Sequence, residues 1–320
     1  MNRSAKAETL KVKGSVGDEK AAPPSMMGRV VLTGRTRDLF WLLVLGALWG
    51  SSYLFIKVTV AEVPALALVL GRLCLGTAIM WLLLLMTRQP LPRGWGPWRA
   101  FAVMGFLSGA VPWSLISWGE QYISSGLAAL LQATMPIFTV MLAFFLASED
   151  RLTFWKVLGV VIGFAGVGVL LLPDLRQGLQ ASLLGQLAII VSSLSYAGGA
   201  IFARSKLRGY PPLLATTGQL TTGLLFMVPV TLLLGSPMRG VPSPPALASW
   251  LALTVLGTVV AYVIYYKLID WTSATFVSTV TYIIPIYGLF LGAAVLGESL
   301  TPAILISLIL ILIGVLLVRR

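Results

Sequence analysis

PALALVLGRLCLGTAIMWLLLLM, Pro64 to Met86, is apolar almost throughout, yet Arg72 stands eight residues into it. A bilayer core about 30 Å thick is crossed by roughly 20 apolar helical residues. At 1.5 Å per residue, Arg72 would lie ~12 Å below the outer end of such a helix. A charge facing lipid at that depth costs a few kcal/mol. The stretch therefore predicts a membrane span whose charged face is turned to protein or water.

The rest of the chain fits that solvent. Apolar residues make up 58% of the 320 and charged residues 11%, too few to cover a soluble fold. Ten apolar runs can be drawn, near 39–60, 64–86, 98–119, 124–147, 153–172, 182–203, 211–234, 247–268, 274–297 and 302–318. Proline- and glycine-bearing turns divide them at 89–92, 172–174 and 209–212, and Thr301-Pro302 reads as a helix start. Residues 1–38 are polar and basic and read as a flexible cytoplasmic tail.

The net charge of +12 tests the count. With the N-terminus in the cytoplasm, 19 of the 23 Lys and Arg fall on the cytoplasmic side, and only Lys57, Arg176 and Arg239 fall outside. That asymmetry is the positive-inside rule, and it places both termini inside. It also argues against nucleic acid as the partner of the basic tail, which lacks stacking aromatics. Cys74 stands alone, so no internal disulfide framework exists. The chain has no His, no acidic cluster and no phosphate-binding glycine loop, so nothing suggests an enzyme, a metal site or a cofactor. No selectivity-filter sequence suggests a channel.

The two halves repeat. GRLCLG at 71–76 stands 147 residues before GQLTTG at 218–223, and at that offset Pro64 meets Pro211, Lys57 meets Arg204 and Trp49 meets Tyr196. Further on the offset is 149, pairing Trp113 with Tyr262, Pro136 with Pro285 and Glu149 with Glu298. Five spans per half is an odd number, so the second half must enter the membrane inverted, an architecture common in secondary transporters. The expected fold is all-α, with ten transmembrane helices as two inverted five-helix repeats, 39–172 and 182–318, around a central cavity.

LGALWGSSYLFIK at 45–57, Pro64 with Arg72, MPIFTVMLAFFLASEDRLT at 135–153, IPIYGLFLGAAVLGESLT at 284–301, and Gly166 and Gly314 resemble the EamA-type members of the drug/metabolite transporter superfamily. The resemblance covers roughly 39–318. It implies ten helices in two inverted halves with a central solute path, and no particular substrate.

Candidate solute-binding residues follow from polar groups inside spans. Arg72 and its repeat partner Gln219 share one depth, so both are expected to face inward. Two roles suit Arg72: holding a carboxylate or phosphate of the solute, or tying helices together through carbonyls, Glu120 or Glu62. Pro136 and Pro285 are expected hinges, each freeing the carbonyl four residues back, at Gln132 and Thr281. Gln132, Thr281 and Tyr282 are therefore expected to line the site. Trp49, Trp113, Tyr196 and Tyr262 suit either cavity walls or interfacial belts; for Trp118 and Tyr266 the belt is favoured, and Lys57 is expected to snorkel. Gly46xxxGly50, Gly105xxxGly109, Gly159xxxGly163 and Gly288xxxGly292 read as close helix packing, with a homodimer as the second reading. The expected activity is export of small polar organic solutes, amino acids or related metabolites, across the cell membrane, with aromatic or cationic drug-like compounds as the alternative cargo.

Overall fold

The computed structural model describes residues 26–146, 153–235, 238 and 240–319. Glu149, Arg151 and Arg239 lie outside them. The compact unit Asp38–Arg320 is built from helices. Eight are long and apolar enough to span a bilayer: α1 (Arg35–Val60), α2 (Ala65–Met86), α3 (Trp95–Gly119), α4 (Ser125–Phe145), α5 (Phe154–Gln177), α6 (Ala181–Lys206), α7 (Pro212–Leu234) and α8 (Pro244–Trp271). Two shorter apolar helices, α9 (Val280–Leu296) and α10 (Pro302–Val318), complete ten. Large apolar side chains such as Leu82, Leu225, Leu233 and Phe290 stand on the exterior, a surface that suits lipid rather than water.

Local sequence sets the helix starts. Ser124, Thr153, Ser243 and Thr301 each accept, through the side chain, the amide three residues on. Three boundaries differ from the sequence reading. Helix α5 runs through Pro173 to Gln177, past the turn expected at 172–174. A single turn of helix, Ala274–Val277, stands apart from α9 because the chain breaks at Ser278 and Thr279. The helix that covers α1 continuously begins at Met26, within the segment read from composition as tail.

Contacts between connections sort the helix ends into two sets. At the far end, where α1 finishes, Glu62 receives the amide and hydroxyl of Ser243. Lys57 donates to the carbonyls of Glu120 and Ile123, and Glu298 receives the amides of Ser125 and Gly126. At the near end, where α1 begins, Phe101 packs against Tyr210, and Arg319 donates to the Ser278 carbonyl. Helix α1 thus starts at the near end and α6 at the far end. The halves are inverted.

They are also interlocked. Helix α1 lies on α8 and α9 of the other half, with Gly50 against Tyr287 and Ser52 against Gly257. Helix α6 lies on α3 and α4, where Ser195 donates to the Leu107 carbonyl and Ser192 to Gln132. The glycine faces are used inside the bundle: a Cβ at Gly159 would stand 2.6 Å from the Gly314 carbonyl oxygen, so α5 and α10 meet backbone to backbone. Gly105 packs on α7 and Gly288 on Ala129 of α4, so these glycines serve helix packing inside the bundle.

Candidate functional site

Between the halves lies a cavity of about 580 Å³. Towards the far end its walls stop at Ile56 and Ile116, about a turn short of the helix ends. Towards the near end they include Leu207 and Tyr210 in the α6–α7 connection, so the cavity extends to that end of the bundle.

Among the described residues Arg72 is the single charged one in the walls. It is 6% exposed. Its guanidinium lies over the Trp113 ring, 3.8 Å from the centroid, and Nε donates to Thr258 Oγ1 at 2.9 Å. Trp113 in turn donates from Nε1 to the Tyr196 hydroxyl at 2.8 Å. Among the described residues the guanidinium makes one hydrogen bond and faces no carboxylate, which leaves its Nη donors for another acceptor. The helix link that Arg72 makes runs through a threonine hydroxyl and an indole face, not through Glu120 or Glu62.

The anchor works because of a helix distortion the sequence reading missed. Residues Phe106–Ala110 of α3 and Val255–Val260 of α8 each form a π-helical turn, at matching places 149 residues apart. Such turns add a residue to the helix and are common at functional sites. The turn in α8 presents Thr258 to Arg72; the turn in α3 presents the Ser108 carbonyl to Gln219 Nε2 at 3.4 Å.

The other expected residues divide. Trp49, Gln132, Tyr196, Gln219, Tyr262 and Thr281 line the cavity with Arg72 and Trp113. Gln132 Oε1 accepts from the Ser192 hydroxyl at 2.7 Å, and among the described residues its buried Nε2 has no partner. Thr281 lies lower than expected, in the first turn of α9, and accepts from Arg319 at 3.3 Å. Tyr282 was expected in the walls and is not there. One residue rotates a helix by about 100°, so its ring turns to α10, donating to the Val315 carbonyl at 3.3 Å beneath the Arg319 guanidinium. Pro136 and Pro285 stand behind the walls; the α4 path breaks at Ala133–Thr134, just ahead of Pro136, while Pro285 sits inside continuous α9. Tyr266, read as a belt residue, joins Tyr262 and Tyr265 in the wall, stacked on Tyr262 and hydrogen-bonded to Thr216. Lys57 does not snorkel; it caps carbonyls at the end of α3.

The pattern of the EamA-like transporter family matches residues 36–172 and 183–320. The chain belongs to the EamA-like transporter family. The two matched segments fall on the two inverted halves. Among relatives, the "uncharacterized transporter YoaV" of Bacillus subtilis is 23% identical over 84% of this chain and 91% of its own length. The "uncharacterized inner membrane transporter YedA" of Escherichia coli K12 is 26% identical over 87% and 89%. Protein PecM of Dickeya dadantii is 26% identical over 85% and 88%. A solved crystal structure, 18% identical, superposes with a TM-score of 0.61 over 88% of this chain and 96% of that one, which speaks for the fold alone. This EamA-like protein is a multi-pass membrane transporter.

Proposed function

We propose that this transporter exports small organic acids with an aromatic or apolar body, amino acids and related metabolites among them, by alternating access. One observation carries the reading: among the described residues the only formal charge in the cavity walls is the Arg72 guanidinium, with Nη donors left over and a rim of aromatic rings. A planar carboxylate suits the guanidinium fork. Gln132 adds a polar side chain to the wall, and Trp49, Tyr262 and Tyr265 supply stacking surface. Cationic cargo is disfavoured, since no acid among the described residues lines the cavity. The positive-inside pattern supports a cytoplasmic near end, the end that the cavity walls reach, which suits loading from the cytoplasm.

The test is flux in proteoliposomes loaded with candidate solutes, in both orientations. Saturable release of aromatic carboxylates, with the amide analogues moved at least about tenfold more slowly, supports the reading. Equal release of acids and amides, or preference for amines, refutes it.

A further inference from the structure

The far end carries three charged side chains that meet one turn, the Glu120–Ser124 link between α3 and α4. Lys57, from the first half, places its ammonium 2.6 Å from the Glu120 carbonyl and 2.7 Å from that of Ile123, where a helix C-terminus leaves acceptors without partners. Glu298, from the second half, takes the amides of Ser125 and Gly126 at 2.7 and 2.9 Å, where a helix N-terminus leaves donors. Together they clasp the turn from both halves.

The carboxyl of Glu120 is left over. It is 0% exposed, and among the described residues neither oxygen has a hydrogen-bond partner. The titratable groups facing it are Tyr53 and Lys57 from α1 and Glu298 from the α9–α10 connection. The ammonium is engaged by the two carbonyls, and Glu298 is a like charge. A carboxylate so enclosed is strongly disfavoured against the neutral acid. Burial pushes the Glu120 carboxyl well above the usual carboxylate range; Lys57 opposes the shift and Glu298 adds to it.

We propose that Glu120 is a proton-binding site that holds the far end shut, so that transport is gated by the pH on that side. The inference rests on the alternating-access reading above, not on any solute. Glu120 is absent from the cavity walls, so its proton exchanges with far-side water when the clasp parts. Opening hydrates the acid, which ionises; the proton goes to that water, and the carboxylate then resists closing. The sign follows. The proton affinity of Glu120 is higher in the shut form, so acid on the far side favours the shut form and alkali the open one.

The test uses the full chain in proteoliposomes without solute. A cysteine replaces Val63, which is 1% exposed at the far end, in a Cys74→Ser background. Its labelling by an impermeant maleimide is scaled to a cysteine at exposed Leu179, which cancels the reagent's own pH dependence. Scaled labelling is expected to rise roughly tenfold between about pH 5.5 and 8.5. In Glu120→Gln, a permanent mimic of the protonated acid, it should stay low throughout. An equal rise in Glu120→Gln overturns the proposal. So that a misfolded variant cannot obscure the answer, the wild type is also examined by infrared spectroscopy. A protonated carboxyl stretch that gives way to carboxylate in step with labelling supports the site; ionised carboxyl throughout, with labelling low, overturns it. A wrong solute assignment leaves both readouts unmoved.

Discussion

Arg72 and Gln219 stand 147 residues apart at equivalent places in α2 and α7, and each donates into the π-helical turn of the opposite half. Arg72 reaches Thr258 in α8 and Gln219 reaches the Ser108 carbonyl in α3. The halves are thus joined at mid-depth by a pair of crossed polar links around the cavity. One link carries a charge and the other does not, which makes the site asymmetric within a symmetric frame.

Arg72→Lys keeps the charge but loses both the Nε bond and the flat contact with Trp113. A hydrogen bond to a charged group is worth about 1.5–3 kcal/mol, so initial flux should fall roughly 10–100-fold. Thr258→Val should weaken flux less, because the guanidinium survives. If the two residues act through one bond, the double variant will be no slower than Arg72→Lys alone, as a double-mutant cycle on initial rates would show.

Tyr282→Phe should leave solute affinity within about twofold of wild type, since the hydroxyl it deletes is turned to Val315. Gln132→Ala, which deletes a polar side chain from the wall and the acceptor of Ser192, should raise KM several-fold. Concentration dependence of flux in the two variants separates the neighbours of the two prolines.

How far the sequence reached is clear from these same residues. Spans and inversion were legible because lipid demands long apolar runs and because Pro64/Pro211 and Pro136/Pro285 mark the repeat. Arg72 was legible because a charge in such a run has to face inward. The π-helical turns were not, since one added residue leaves an almost wholly apolar run unchanged. Tyr282 was misplaced for a related reason: helices apolar on every side carry no stripe to tell which face is inward. Tyr266 was assigned to a belt by depth alone, although α8 turns it towards Tyr262.

Gly314→Ala should destabilise the bundle. A Cβ there would lie 2.7 Å from both the Gly159 carbonyl oxygen and the Gly163 Cα, and these are backbone atoms that cannot swing away. Overpacking of this kind costs about 1–3 kcal/mol. Thermal unfolding in detergent should show a lower midpoint, whereas Gly109→Ala, with open space at its Cβ, should be nearly silent.

Glu62 lies outside the spans, and its bonds from the Ser243 hydroxyl and amide hold its carboxyl below the ordinary carboxylate value. Its stabilising contribution is therefore present above that ordinary value and lost as pH falls through the lowered one. Wild type should unfold at a higher temperature than Glu62→Gln near neutrality, and the gap should close below about pH 4.

The most direct measurement compares a transported aromatic carboxylate with its carboxamide in proteoliposomes containing wild-type protein or Arg72→Gln. The wild type should prefer the carboxylate by at least roughly tenfold, and Arg72→Gln should move the two at similar, low rates. A carboxylate preference that survives intact in Arg72→Gln would contradict the placing of the solute's acid group on Arg72.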